Sequence, residues 1–274
     1  MVSGVFWVIS YISGRICHIF PEKGQIMNVG ILGMGEVGSA IKKLVSPKHH
    51  VFVRELNFDQ LPGHQIDVLH ICIPFTPSFT KSAVATIKEV SPQLVIVDST
   101  VKPGTTNLIY QQTHTNIAHA PILGVHPHLY EYLFKFTKPL GAINPQSFRQ
   151  AKKHFEDLGV KTEKFDSPLE SEMAKILGTT YYGWAILFEK WVHHLCQQQG
   201  TNFDQVYTRY NQIYNQGYQP DLPHVVRPVL THQFGPIGGH CVIPNSEIIN
   251  TWVHDDFTAF IIDQNQKLGK SQDE

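Results

Sequence analysis

The run "NVGILGMGEVG", residues 28–38, limits the folds open to this chain more than any other stretch. A short apolar, strand-like segment leads straight into three glycines, Gly33, Gly35 and Gly38, and then into the helical spacing Val37, Ile41 and Leu44. After a turn at "SPKHH", a second strand-like run, "VFVRE", closes on Glu55, about 20 residues past the first glycine. Strand, glycine turn, helix and strand in that order predict a βαβ unit whose glycines allow a tight turn and close approach to the backbone.

That geometry suits a dinucleotide. The diphosphate would rest on the N-terminal amides of the helix, and the acidic residue would accept from the adenosine ribose hydroxyls. Gly33, Gly35, Glu36, Val37, Gly38 and Glu55 are therefore candidate cofactor-binding residues. A carboxylate at position 55 repels a 2′-phosphate, which predicts NAD over NADP; Arg54 beside it argues the other way, since an arginine can accommodate that phosphate. The α/β rhythm continues through "DVLHICIP" (67–74), a helix to about Val90, "LVIVDST" (94–100) and a helix entered from "VKPGTTNLI". Ligands of open α/β sheets bind beyond the carboxyl ends of the strands. This adds Pro74, Thr76 and Ser99 as cofactor contacts and Thr100 as a catalytic candidate. Turn and cap chemistry accounts for the same residue types in any loop, and for Thr100 both readings stand.

With 274 residues, 42% hydrophobic and 16% charged, the chain reads as a globular protein of one or two domains. A net charge of −1 offers no basic stripe for nucleic acid and no polybasic patch for membrane. Cys17, Cys72, Cys196 and Cys241 lie far apart with no C-x-x-C pair, which predicts a reducing, cytoplasmic setting and no zinc site. Sixteen histidines occur without metal-ligand spacing. "HH" at 49–50 and 193–194 and "HPH" at 126–128 read as surface or loop histidines, and no metal is expected. Residues 1–26, with the apolar "VSGVFWVISYISG", read either as an N-terminal extension before a domain that starts at Met27 or as an extra element packed on it.

The second half is dominated by "SPLESEMAKILGTTYYGWAILFEKWVHHLCQQQG", one long predicted helix. Ser167, Pro168 and Glu170 form a capping box with proline at the first helical position, and Gly200 supplies the stop. Met173, Leu177, Thr180, Trp184, Leu187, Trp191 and Leu195 are the expected buried stripe, with Lys175, Thr179 and Tyr182 opposite. Lys175 is either a solvated lysine or a group facing a cleft. In "GPIGGHCVIPN" (235–245), Gly238 and Gly239 permit a backbone that exposes Cys241 just before the helical run "SEIINTWV". Cys241 reads as a nucleophile or as a small packing residue.

In this order, GxGxxG, acidic strand end, "DSTVKPGTT", "SEMAKILGTTYYG" and "GPIGGHC" resemble the UDP-glucose/GDP-mannose dehydrogenase family over roughly residues 27–255, its NAD domain and central helical domain. The resemblance implies that Cys241 falls on the cysteine that attacks an aldehyde on the way to a thioester and carboxylate. It puts Lys175 on the helix lysine that stabilises oxyanions and Thr100 on the threonine near substrate and water. Three departures bear on this: Thr179 replaces the usual asparagine, Asn245 the usual aspartate, and the C-terminal nucleotide-sugar domain has no counterpart here. Asn245 cannot act as a carboxylate base, so a two-electron oxidation fits better than a four-electron one. A shorter stretch, "ILGVHPHLYE" (122–131), is similar to the histidine–proline segment of prephenate dehydrogenases, which would make His126 a general base.

The expected architecture is α/β: a doubly wound parallel Rossmann sheet over 27–165, then a smaller all-helical domain of the 6-phosphogluconate dehydrogenase kind over 166–274. The expected function is NAD-dependent oxidation of an alcohol group on a small polar or sugar-nucleotide-like substrate. A catalytically degenerate NAD-binding sensor or scaffold is the alternative. The apolar side chains Trp184, Phe188, Trp191 and Leu195 predict a homodimer built on the helical domain.

Overall fold

The computed structural model of the protein describes residues 11–12, 15–16 and 24–270. Tyr11–Ile12 (β1) pairs antiparallel with Arg15–Ile16 (β2). Otherwise residues 1–23 lie outside the described residues, and with them the choice between an extension and a packed element, as does Cys17.

The chain divides into two compact units, Met1–Met173 and Ala174–Glu274. The first carries an eight-stranded sheet of β3 (Asn28–Leu32), β4 (His50–Glu55), β5 (Phe58–Asp59), β6 (Val68–Ile71), β7 (Leu94–Val97), β8 (Ile117–His119), β9 (Lys138–Ala142) and β10 (Thr162–Phe165). Their order is β10-β9-β8-β7-β6-β3-β4-β5. Neighbours run parallel except β4 with β5 and β8 with β9. The expected Rossmann α/β class is therefore what the chain forms, with two antiparallel pairings in the sheet.

Helices cover both faces, which is why β6 and β7 are buried along their whole length. Val29, Ile31, Leu94 and Ile96 face one layer, with α1 (Glu36–Val45), α4 (Leu129–Lys135) and α5 (Pro145–Asp157) packed there. Leu69, Ile71, Val95 and Val97 face the other, covered by α2 (Phe79–Val90) and α3 (Thr105–Thr113). The chain leaves β3 toward β4 and β5, then returns to β6 on the opposite flank. The strand order thus reverses at β3, where open α/β sheets hold their ligands.

α6 (Pro168–Gln199) starts in the first unit and runs into the second. Its capping box is present: the Leu169 amide donates to Ser167 Oγ at 3.1 Å, and the Ser167 hydroxyl donates to Glu170. The second unit continues with a π-helical turn (Asp204–Arg209), α7 (Tyr210–Tyr218), α8 (Val242–Val253) and α9 (Asp256–Lys270). Here the expected buried stripe needs correction. Thr180 and Leu187 are buried as expected, together with Ile176, Gly183 and Lys190, whereas Leu177, Trp191 and Leu195 are exposed. The helix carries two adjacent apolar stripes, and the one richer in small residues packs inward: at Gly183 an added β-carbon would stand 2.7 Å from Val242 of α8.

Candidate functional site

The glycine turn is held by backbone geometry that side chains could not adopt. Gly33 has φ +96°, and a β-carbon there would lie 2.9 Å from the carbonyl carbon of Cys72, just past β6. At Gly38 a β-carbon would stand 1.9 Å from the Gly33 carbonyl oxygen, so the helix can pack against the turn only through glycine. Gly35 differs: it is the N-cap of α1, no side chain caps the helix, and a β-carbon there meets nothing within 4 Å. The first-turn amides of α1 therefore face open space, as the diphosphate of a dinucleotide requires. Val37 packs partly buried against the core.

Glu55, at the end of β4, reaches back to this turn. Its carboxylate accepts from the Leu56 amide at 3.0 Å and from the Met34 amide at 2.6 Å, and these two bonds hold its pKa below the ordinary value. Arg54 points away, as alternation along a strand demands. It forms a bidentate pair with Glu89 of α2 at 2.8 and 2.9 Å and pairs with Asp59 of β5 at 2.7 Å.

Beyond β6, Pro74 and Thr76 are exposed, and the Thr76 hydroxyl lies 3.0 Å from that of Ser78 at the start of α2. Ser99 is buried; its hydroxyl is 2.7 Å from the Ile73 carbonyl and 3.2 Å from that of Ile71, tying the end of β7 to that of β6. Thr100, the next residue, is partly exposed. His126 forms an ion pair with Glu36, the first residue of α1, so the loop after β8 rests on the glycine turn. Beside it opens a cleft of about 480 Å³ lined by Gly35, Glu36, Ser39, Lys43, His128 and Tyr130. Every candidate of the first unit thus gathers at the carboxyl ends of β3, β4, β6 and β7 or on the loop after β8.

In the second unit, Lys175 is partly buried on α6 and Thr179 donates its hydroxyl back to the Lys175 carbonyl at 3.0 Å. Cys241 is the N-cap of α8 and partly exposed, while Cys72 and Cys196 are buried. Gly239, two residues earlier, has φ +80°. Asn245 is buried one turn into α8.

Three polar clusters escaped the sequence reading. His70 of β6 donates through Nδ1 to Asp98 at 2.6 Å, with Lys138 of β9 3.1 Å from the other carboxylate oxygen, all fully or almost fully buried. Burial pushes the Asp98 carboxyl up, but the Lys138 and His70 partners outweigh it and hold the pKa low. Glu172 accepts from the Gly104 amide at 2.6 Å and the Thr106 amide at 2.8 Å, capping α3 from 66 residues away in sequence. His193, one of the doublet histidines read as surface residues, stacks on His232 with ring centroids 3.6 Å apart, and His232 is 2.6 Å from buried Glu189. Isolated charged letters inside apolar runs, "DVLHICIP" and "LVIVDST", were the visible signal for the first cluster.

No family model matches the chain. The UDP-N-acetyl-D-mannosamine dehydrogenase of Methanocaldococcus jannaschii is 22% identical over 242 residues, covering 77% of this chain and 53% of the relative. The chain thus spans about half the length of that curated relative. Among solved structures, a UDP-glucose dehydrogenase from Pyrobaculum islandicum matches 93% of this chain and 70% of its own with a TM-score of 0.71 at 15% identity. The 3-hydroxyisobutyrate dehydrogenase of Mycobacterium tuberculosis matches 90% and 94% with a TM-score of 0.67 at 13% identity. The chain has the fold of these dehydrogenases, and its sequence is similar to a sugar-nucleotide dehydrogenase over 77% of its length.

Proposed function

We propose that the chain is an NAD-dependent dehydrogenase that oxidises an alcohol group of a sugar-nucleotide-like or other small polar substrate. The observation that carries this reading is the glycine turn: close-packed at Gly33 and Gly38, open at Gly35, with uncapped helix amides and the Glu55 carboxylate beside it. The likeness to a UDP-N-acetyl-D-mannosamine dehydrogenase supports the substrate class.

NAD, when bound, supplies the hydride acceptor. Gly33, Gly35, Gly38 and the start of α1 would hold its diphosphate, Glu55 its ribose hydroxyls, and Pro74 and Thr76 the end beyond β6. Lys175 is assigned the substrate oxygen, where an ammonium offsets the negative charge left as the hydroxyl proton departs; Thr100 is assigned the hydroxyl's hydrogen bond. Cys241 is assigned a substrate contact on the likeness to a sugar-nucleotide dehydrogenase. With Asn245 in place of a carboxylate, a two-electron oxidation is the reaction we assign. His126 is paired with Glu36 at the glycine turn, which supports a part in dinucleotide binding more than the role of general base.

The second unit supports a homodimer. Leu177, Tyr181, Phe188, Trp191 and Leu195 are exposed along one stripe of α6, with Trp184 between them packed on Phe257 and Phe260 of α9, and that stripe suits a helix from a second copy. Light scattering at micromolar concentration checks it, a monomeric mass counting against it.

The decisive test is NAD reduction, followed by absorbance, across a panel of alcohols and sugar nucleotides. Turnover that falls about a hundredfold in Lys175→Met is the expected result. NAD binding without turnover of any substrate would favour the sensor or scaffold instead.

A further inference from the structure

Arg54 is one residue from the carboxylate that would meet the adenosine ribose, and an unengaged guanidinium there would attract a 2′-phosphate. Four of its five N–H donors are hydrogen-bonded, and the nitrogen that carries the fifth lies against a carboxylate. Nε donates to Asp59 at 2.9 Å; Nη1 donates to Glu89 at 2.8 Å and to Thr86 Oγ1 at 3.2 Å; Nη2 donates to Glu89 at 2.9 Å and lies 2.7 Å from Asp59. The planar fork is thus fixed between β5 and the last turns of α2, with its side chain 18% exposed. An arginine so held can turn toward a phosphate only by leaving two carboxylates at once.

Resting on the reading that the glycine turn binds a dinucleotide, we propose that Glu89 and Asp59 are specificity-determining residues. They hold Arg54 out of the cofactor site, leave Glu55 to set the preference, and thereby make the chain reject NADP. Neither carboxylate touches the cofactor in this account. Both act through Arg54.

The test is calorimetric titration of NAD and NADP into the wild type, the double variant Asp59→Asn/Glu89→Gln, and a triple variant that adds Arg54→Gln. Both substitutions keep side-chain volume, and Asn at 59 keeps an acceptor for the Leu61 amide, bonded at 3.0 Å. In the double variant NADP should bind about tenfold tighter or more, with NAD affinity held within about threefold. The triple variant should lose that gain. A gain that persists without Arg54 would assign the effect to the removed charges alone and overturn the inference. So would an unchanged NADP to NAD ratio in a double variant that melts as a folded protein. A wild type that binds NAD but shows no such switch sinks only this inference; a wild type that binds neither dinucleotide removes the functional reading with it.

Discussion

A β-carbon at Gly38 would stand 1.9 Å from the Gly33 carbonyl oxygen, whereas one at Gly35 would meet nothing within 4 Å. The two glycines of one turn should therefore fail in different ways. Gly38→Ala forces the helix off the turn and should cost about 2–3 kcal/mol, read as a lowered urea midpoint. Gly35→Val has room in the fold and should cost about 1 kcal/mol or less, yet its methyl groups fill the space over the α1 amides and should abolish NAD binding in calorimetry. An unstable Gly35→Val, or one that still binds NAD normally, contradicts the assignment. Residue-scale logic also separates the cysteines. Cys72 is buried and its thiol is pushed well up by that burial, and Cys196 is buried on α6, while Cys241 is partly exposed at the start of α8. Iodoacetamide should label Cys241 before either of the other two, as read by peptide mass spectrometry. If it labels no faster, and Cys241→Ser leaves turnover unchanged, the residue only packs.

Elements explain where the sequence was legible. The period of apolar residues, the glycine turn and the capping box at Ser167 placed α1, α6 and the central strands, because each is a local pattern with a local cause. What local pattern cannot show is which of two neighbouring stripes on α6 finds a partner. Ile176, Thr180, Gly183, Leu187 and Lys190 won that place although Leu177, Trp191 and Leu195 are the larger apolar residues. Lys190 reads as a surface residue, but its ammonium donates to the Gln233 carbonyl, and that partner lies far along the chain. The candidate residues of the turn were legible for the same reason that the helices were; the pairings of Arg54 with Glu89, His70 with Asp98 and Glu172 with Thr106 were not, since each partner lies dozens of residues away. Two predictions belong here. Glu172→Leu removes the acceptor of two amides and a hydroxyl at the start of α3 and should cost about 2–4 kcal/mol, with Glu172→Gln losing less because it keeps one acceptor oxygen. On the exposed stripe, Phe188 is 56% and Trp191 58% exposed, so the double change to Glu should leave the monomer folded while shifting the mass by light scattering to one copy. An unchanged mass, whether one copy or two, would take this stripe out of the assembly.

At the scale of the whole molecule, the centre of the sheet unit is polar where most such centres are apolar. Three strands and a helix meet there: His70 on β6, Asp98 after β7, Lys138 on β9 and His154 on α5, each essentially buried. Asp98 can only accept, so His70 Nδ1 carries a proton; His70 Nε2 lies 3.0 Å from His154 Nε2, and His154 Nδ1 is left buried without a hydrogen-bond partner. His154 is thus neutral in the fold, its pKa pushed well below 6.5 by burial first and by the neighbouring His70, His49 and Lys153 charges second. His49, partly buried at the same end of α5, is lowered as well, again mainly by burial. The unfolded chain takes up these protons near pH 6.5 and the folded one does not, so the stability they contribute is complete above that value and is lost as the pH falls toward the folded pKa. Each such histidine should cost about 1.4 kcal/mol per pH unit below about 6.5. Urea midpoints at pH 7 and pH 5 measure the slope. In His154→Gln, whose amide can still hydrogen-bond to His70 but takes no proton, the drop between the two should shrink by about 1–2 kcal/mol. An equal drop in wild type and variant would mean that His154 is already charged in the fold, and that its unpaired nitrogen has a partner.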